Sequence, residues 1–360
     1  MRGKPGALSD AAIETMTRAA SGDANKLGAL AALLCRSGQL EKAYAVAREA
    51  RVLAPDDPDV ASLTQAPLAA NVPGWHFGIV RDEARNSAYD AALTRAVRPG
   101  IRVLDIGSGT GLLAMMAART GAESVITCER NPAVADAAAE IVALNGFSSC
   151  VKVVGKISYE LDADADMGGR AQLLVCEIVS ADLLSEMPLP VMEDAVPRLL
   201  EPGAQVIPCS GQVRVALAYW AGLADRRLGD VAGFNLSPFN RLDSSPRKVA
   251  IGDPDLALRS EAADLFDFDF ASGGPYQNGR TSIGLIADRG PVNGIVQWIR
   301  LQLDSEGVYE NRPVPGATSC WTALFYPFEH ELDVAPGEPG SIEGAHHRTG
   351  IRIWSRPRAQ

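Results

Sequence analysis

Apolar positions in the first sixty residues recur at helical spacing. Leu27, Leu30, Ala31 and Leu34 share one face, and Ala43, Ala47, Ala50 and Leu53 another, ahead of Pro55. This periodicity predicts helices over 11–60, with Gly38 turning the chain between two antiparallel segments and Pro55 ending the second. Residues 67–74 read as a linker, and 75–97 as a pair of amphipathic helices ahead of Pro99-Gly100. From 101 the pattern becomes short buried strands alternating with helices. Strands are expected at 101–106, 125–129, 151–154 and 172–176, with helices from 111–120 and after Asn131-Pro132. Asn131 is a good N-cap, Pro132 suits the first helical turn, and Asn145-Gly146 closes the helix. Such alternation implies a doubly wound parallel sheet.

Beyond about 205 the texture changes again. Short apolar runs at 212–218, 265–270, 294–303, 320–326 and 351–354 lie between Gly, Pro and Asp turns, and only 222–245 leaves room for a helical insertion. A barrel or sandwich is expected here, with Trp220, Trp298 and Trp354 in its core and His330, His346 and His347 on its surface. The fold class is therefore α/β: a Rossmann-like domain followed by a β-barrel domain, with an N-terminal helical segment. The divisions are 1–66 (helical), 67–206 (parallel sheet with its covering helices) and 207–360 (β-rich).

Composition narrows the partners. The chain is 47% hydrophobic and 22% charged, which suits a globular protein with a sizeable core. Its 34 Lys+Arg against 44 Asp+Glu give a net charge of −10. That balance argues against nucleic acid or an anionic membrane as a general partner, and leans toward a cationic one. The six cysteines are scattered without C-x-x-C or Cys/His clusters, so no metal is expected and a reducing cytoplasm is. The opening MRGKPGALSD has no apolar core of a signal peptide, and the longest apolar run, nine residues from Leu27 to Cys35, is far short of the roughly 20 that span a bilayer.

Two constellations carry chemistry. The first is Val103-Leu-Asp105-Ile-Gly107-Ser-Gly109-Thr-Gly111, glycines at alternate positions directly after a strand and opening a helix. Glycine lets such a loop turn tightly and approach a ligand closely. Glu129 ends the next strand, where a carboxylate accepts both hydroxyls of a ribose. Asp105 beside the loop would repel a pyrophosphate but tolerates a ligand with a ribose, an ammonium and a sulfonium, the combination found in S-adenosylmethionine. A purely structural turn and a nicotinamide site are the alternatives. The second constellation is Glu177 and, nine residues later, Glu186, after the fourth strand. Two carboxylates facing one cavity share a proton or hold a cation, and a planar guanidinium with five donors suits such a clamp. On spacing alone, a solvated loop with incidental acids fits as well.

Several segments together resemble the protein arginine methyltransferases, in particular the class with N-terminal tetratricopeptide repeats. They are Trp75-His76-Phe77, Asp82-Glu-Ala-Arg85-Asn86, Tyr89, the run from Val103 to Leu113, Cys128-Glu-Arg130 and the paired glutamates, with a weaker likeness through 233–240 and Trp321. The order from Leu27 to Pro55 resembles one tetratricopeptide repeat, read first as a cap on the next domain and second as a site for a protein partner. The resemblance implies S-adenosylmethionine as cofactor and an arginine-containing protein or peptide as substrate. It places His76 and Arg85 over the cofactor, Arg85 on its carboxylate, Gly107 and Gly109 along its methionine portion, Glu129 on the ribose, and Ile157 and Ser158 at the adenine edge, with Asp105 among the cofactor-binding residues. Glu177 and Glu186 would clamp the acceptor guanidinium, with Ile79, Asp82, Cys320 and Trp321 on the substrate side. Relatives of this kind carry a histidine where Cys320 stands, so its contact with Asp82 is not expected here. Residues 222–245 resemble a dimerisation arm, which implies a homodimer. Methylation of another acceptor, or cofactor binding without catalysis, are the remaining readings.

Overall fold

The computed structural model describes residues 8–70, 72–243, 245–288, 290–333, 337 and 339–355. The first seven residues, on which the signal-peptide reading partly rested, lie outside these.

Four helices open the chain: α1 (Asp10–Ala20), α2 (Ala24–Arg36), α3 (Leu40–Leu53) and α4 (Pro58–Ala69). Ser9, Asp23 and Asp57 cap three of them by accepting backbone N–H bonds, which explains where each starts. Leu27, Leu30, Ala31, Leu34, Ala43, Ala47 and Ala50 form a core separate from the rest of the molecule. Gly38 turns the chain with φ +80°, a conformation that favours glycine. Leu53, at the end of α3, is about half exposed. The expected linker at 67–74 is shorter than the sequence suggests. The fourth helix runs on to Ala69 with Pro67 buried inside it. The helical unit meets the next domain through Tyr44, whose hydroxyl donates to Asp136 at 2.6 Å, and through Arg48, 3.2 Å from the same carboxylate.

Next come α5 (Trp75–Ile79) and α6 (Glu83–Ala96), then the alternating region: β1 (Arg102–Ile106), α7 (Leu112–Thr120), β2 (Ser124–Cys128), α8 (Pro132–Leu144), β3 (Val151–Val154), β4 (Ala171–Cys176), α9 (Pro188–Leu199) and β5 (Leu200–Ile207). The five strands are parallel in the order β3-β2-β1-β4-β5. The chain thus reverses its direction of winding between β1 and β4, and ligands of open α/β sheets bind at such a switch point, outside the carboxyl ends of the strands.

The remaining strands are β6 (Ser210–Trp220), β7 (Asp230–Val231), β8 (Phe234–Asn235), β9 (Arg247–Val249), β10 (Leu256–Leu258) and β11 (Ala263–Asp269). They continue with β12 (Gly279–Ile286), β13 (Val292–Gln302), β14 (Val308–Glu310), β15 (Ala323–Leu332), β16 (Pro339–His346) and β17 (Ile351–Ser355). Strands β10-β6-β13-β15-β9 form one antiparallel sheet, joined by β11 on β6 and β14 on β13, and β12-β16-β17 form another. One hydrophobic core runs from the parallel sheet into this domain, so the two halves of the molecule are packed together rather than tethered. Trp220 and Trp298 are buried, whereas Trp354 is half-buried under Arg280, and His330 and His347 are exposed. His346 is half-buried against Phe266 and Phe268 rather than lying free on the surface. The insertion between β6 and β9 is two short 3-10 turns and the β7-β8 hairpin, not a regular helix. Among the described residues no helix is long and apolar enough to cross a membrane.

Candidate active site

Strand register brings the two sequence constellations to one level. Ile106 at the end of β1 pairs with Cys128 on one side and with Cys176 on the other. The residues that follow these three are Gly107, Glu129 and Glu177, so the glycine loop and both carboxylates leave the sheet side by side. The loop folds back over β2, with the N–H groups of Gly107 and Ser108 both donating to the Cys128 carbonyl at 3.0 Å. Gly107 has φ +87°, and a Cβ there would stand 2.8 Å from the Ile178 side chain. Only glycine therefore lets the loop lie against the residue beside Glu177. Gly109, at φ +51°, faces open space, and the loop ends in Gly111, which caps α7 without any side-chain bond.

Asp105 is almost completely buried below this loop. Its Oδ2 accepts from Thr127, Thr127 is 2.5 Å from the Ser108 hydroxyl, and its Oδ1 has no partner. Burial pushes this carboxyl up to about 7, against the Thr127 bond and the Arg85 charge, and Glu129 pushes it further the same way. Glu129 accepts from Gly109 N at 3.3 Å and from Asn131 N at 2.8 Å. His76 stacks on Trp75 with ring centroids 3.9 Å apart. Burial lowers its pKa, while Glu129 and Glu186 pull upward, which puts His76 in the field of both carboxylates. Ile157 and the buried Ser158 begin the 3-10 turn after β3, and the Ser158 carbonyl accepts from Arg198 at 2.8 Å. An unpartnered buried carboxylate oxygen, an acid beside the loop and open space over Gly109 fit a cationic, hydroxyl-bearing ligand such as S-adenosylmethionine.

On the other wall, Arg85 from α6 donates to Glu177 at 2.9 Å, and only 6% and 4% of these side chains are exposed. Arg85 also donates to Asn86, and its guanidinium lies 5.4 Å from the Tyr89 ring centre. Tyr89 in turn donates to the Cys176 carbonyl at 3.1 Å, tying α6 to the end of β4. Glu177 Oε1 is buried without a partner. Burial pushes Glu177 up to about 7 against the opposing pull of Arg85, and Glu186 adds to the rise. Removing either partner of a buried pair like this costs roughly 3–5 kcal/mol.

Glu186 is exposed and does not touch the Arg85–Glu177 pair, though its field reaches Glu177 and His76. Its loop is closed around Asp182, which accepts from Ser180 Oγ, Ser185 Oγ and Ser185 N. Leu183 and Met187 hold left-handed backbone at φ 75° and 64° without being glycine. Leu183 is anchored by its buried side chain, which packs against Gly211. Ile79 is half-buried at the edge of the main core. Trp321 is buried and donates from its ring to the Val179 carbonyl at 3.2 Å. Cys320 offers its backbone N–H, rather than a cationic ring, to Asp82 at 2.9 Å. Burial first, then Asp82, raises the Cys320 thiol well above its ordinary range. Sequence reading missed Thr127, Tyr309 and Ser319. Thr127 faces Asp105 across the register pair Asp105↔Thr127, a signal present once strand pairing is known. Tyr309 joins Asp82 from 227 residues away, and no local pattern marks it.

Comparison with known proteins decides the family. Residues 87–214 match the model for ribosomal protein L11 methyltransferase (PrmA). An arginine N(omega)-methyltransferase of Streptomyces achromogenes subsp. streptozoticus is 34% identical over 339 residues, covering 90% of each chain. The chain belongs to the arginine methyltransferase family. As a member it is an S-adenosylmethionine-dependent arginine methyltransferase. Protein arginine N-methyltransferase 7 of Oryza sativa subsp. indica is 33% identical over 64% of this chain, and protein arginine N-methyltransferase 9 of Homo sapiens 28% over 78%. The methyltransferase spans only 35% and 38% of those two proteins' lengths. Among solved structures, the Trypanosoma brucei PRMT1 enzyme–prozyme heterotetrameric complex with AdoHcy has a similar fold (TM-score 0.68, 20% identity, 80% of this chain and 98% of that one). So does Arabidopsis thaliana protein arginine methyltransferase 10 (TM-score 0.63, 16% identity, 77% and 88%).

Proposed function

We propose that the methyltransferase acts on an arginine side chain of a protein or peptide, whose guanidinium is held by Glu177 and Glu186. The observation that carries this reading is Glu177 itself, a buried carboxylate at a strand end that already accepts one guanidinium and keeps a second oxygen without a donor. S-adenosylmethionine supplies the electrophilic methyl group on its sulfonium. Arg85 would turn its guanidinium to the cofactor carboxylate, Glu129 would take the ribose hydroxyls, Asp105, Gly107, Gly109 and His76 would line the methionine portion, and Ile157 and Ser158 would meet the adenine edge. A guanidinium is always protonated at neutral pH and its nitrogens are poor nucleophiles. Two fixed carboxylates draw its positive charge toward themselves and leave the remaining terminal nitrogen richer in electrons. They also aim that nitrogen at the methyl group, and orientation supplies much of the acceleration. Ile79 and Trp321 would shape the acceptor side.

Free arginine is the second reading, because the relative that matches along nearly the whole chain is named for arginine without reference to a protein. Transfer of labelled methyl to an arginine-rich peptide and, separately, to free L-arginine tests both. Labelled peptide is the expected outcome, label only on the free amino acid moves the assignment to the second reading, and no label on either overturns both.

The helical unit reads best as a tetratricopeptide-like cap docked on α8 through Tyr44 and Arg48. A homodimer is supported by the insertion after β6, where Phe234, Phe239 and Leu242 are 71%, 63% and 69% exposed. Such a concentration of bare apolar side chains marks a protein contact. All six cysteines are free thiols, which suits the cytoplasm.

A further inference from the structure

Asp82 sits where three parts of the molecule meet. Its Oδ1 caps α6 by accepting from Arg85 N at 2.9 Å. Its Oδ2 accepts from the Tyr309 hydroxyl and from Cys320 N, both at 2.9 Å. Tyr309 belongs to β14 and Cys320 to the loop before β15, so two donors from the β-rich domain close on the first turn of the helix that carries Arg85. The hydrogen bonds behind them are directional. Trp321 N donates to Ser319 Oγ at 3.1 Å, which leaves the Ser319 proton to point at the Tyr309 oxygen 2.9 Å away, and the Tyr309 proton to point at Asp82. The same segment reaches the acceptor wall, where the Trp321 ring donates to Val179, two residues past Glu177. The Tyr309 and Trp321 rings meet edge-on, with centroids 5.5 Å apart.

We propose that Tyr309 is a positioning residue for methyl transfer: its hydroxyl latches the β-rich domain to Asp82 and thereby fixes Arg85 where the cofactor carboxylate must be met. The inference rests on the cofactor role proposed above for Arg85. The latch is built from an anion and neutral donors. The titratable groups facing Asp82 are the Tyr309 phenol and the Cys320 thiol, while the Arg85 guanidinium turns to Glu177 and only its backbone N–H meets Asp82. Burial raises Asp82, but the bonds from Arg85 N, Cys320 N and Tyr309 outweigh it and hold the carboxyl below its ordinary range. A latch of this composition stays closed through neutral pH, and losing one donor makes it protonate at higher pH.

Tyr309→Phe tests this, since it keeps the ring against Trp321 and removes only the hydroxyl. The readouts are calorimetric binding of S-adenosylhomocysteine between pH 5 and 8, separate KM values for cofactor and acceptor, and the melting temperature. The expected result is affinity about 10-fold weaker than wild type, a raised cofactor KM with kcat less affected, and a deficit that widens as pH falls. Ser319→Ala, which frees the Tyr309 hydroxyl to rotate, should shift the same readouts in the same direction by less. Equal binding of S-adenosylhomocysteine by wild type and Tyr309→Phe across this range overturns the latch alone. So does a pH-independent loss that tracks a lowered melting temperature. A wild type that does not bind S-adenosylhomocysteine overturns the cofactor reading and the latch with it.

Discussion

The first wall of the cleft draws on residues 105–129, one β-α-β unit, whereas the second is assembled from Asp82 and Arg85 on α6, Glu177 after β4, and Tyr309, Cys320 and Trp321 far down the chain. The first wall is held by backbone: strand register, glycine conformations and N–H groups donating to Cys128. The second is held by side chains donating across separations of 92, 142 and 227 residues. A backbone-built wall is set once the sheet forms. A wall built by side chains is set only when three packed layers agree, so a single substitution there reaches the chemistry and the packing of those layers together.

The largest expected effect separates the two walls directly. Glu177→Gln should lower kcat by about 100- to 1,000-fold, the scale seen when a preorganised electrostatic partner is lost, while binding S-adenosylhomocysteine no more weakly than wild type. Glu129→Gln should do the reverse, weakening the cofactor analogue about 10-fold with a smaller change in kcat. Paired calorimetry and steady-state kinetics check this, and identical profiles for the two variants would erase the distinction between the walls.

A pH experiment sharpens the same contrast. If Glu177 holds the acceptor guanidinium as proposed, it must be ionised to do so; it is pushed up to about 7, so kcat/KM for the acceptor should rise with pH through about 7 and then level. Stability should run the other way. Asp105 is also pushed up to about 7, so between the ordinary carboxylate range and that point the native state keeps a proton the unfolded chain has lost. The native state therefore binds more protons, and stability falls as pH rises through that window. Asp105→Asn cannot titrate, so its melting temperature should gain on wild type as pH climbs from 4 to 8. A constant difference between the two would dismiss the proton assignment. The smallest effect concerns the acceptor loop. Left-handed backbone costs a non-glycine residue roughly 1–2 kcal/mol, and glycine costs roughly 0.5–1 kcal/mol in unfolded-state entropy. Met187→Gly should accordingly raise stability by about 0.5 kcal/mol, read from the denaturant midpoint.

How much was legible in the sequence follows the same division. The strand–loop–helix placement of Gly107, Gly109 and Glu129 and the Asn131 cap were readable because each is set within one turn or one strand of its neighbours. The pairing of Arg85 with Glu177 was not, since both were assigned to ligands and nothing local says that they meet. Cys320 illustrates the limit best. Reading side chains alone, its replacement of a histidine removes a contact, but the backbone N–H at that position still reaches Asp82, and any residue except proline carries one. Pro67 misled in the opposite direction, because a proline that usually breaks helices here occupies a buried last turn.

The level ends of β1, β2 and β4 have a consequence for how this chain can change length. Alternate residues of a strand face opposite sides of the sheet, so one residue inserted into β4 ahead of Cys176 would turn Glu177 away from Ile106 and its partner Cys128. The connections between strands carry no such parity. Connections that carry no site residue are under no such rule, while the three short strands beneath the glycine loop must keep their count.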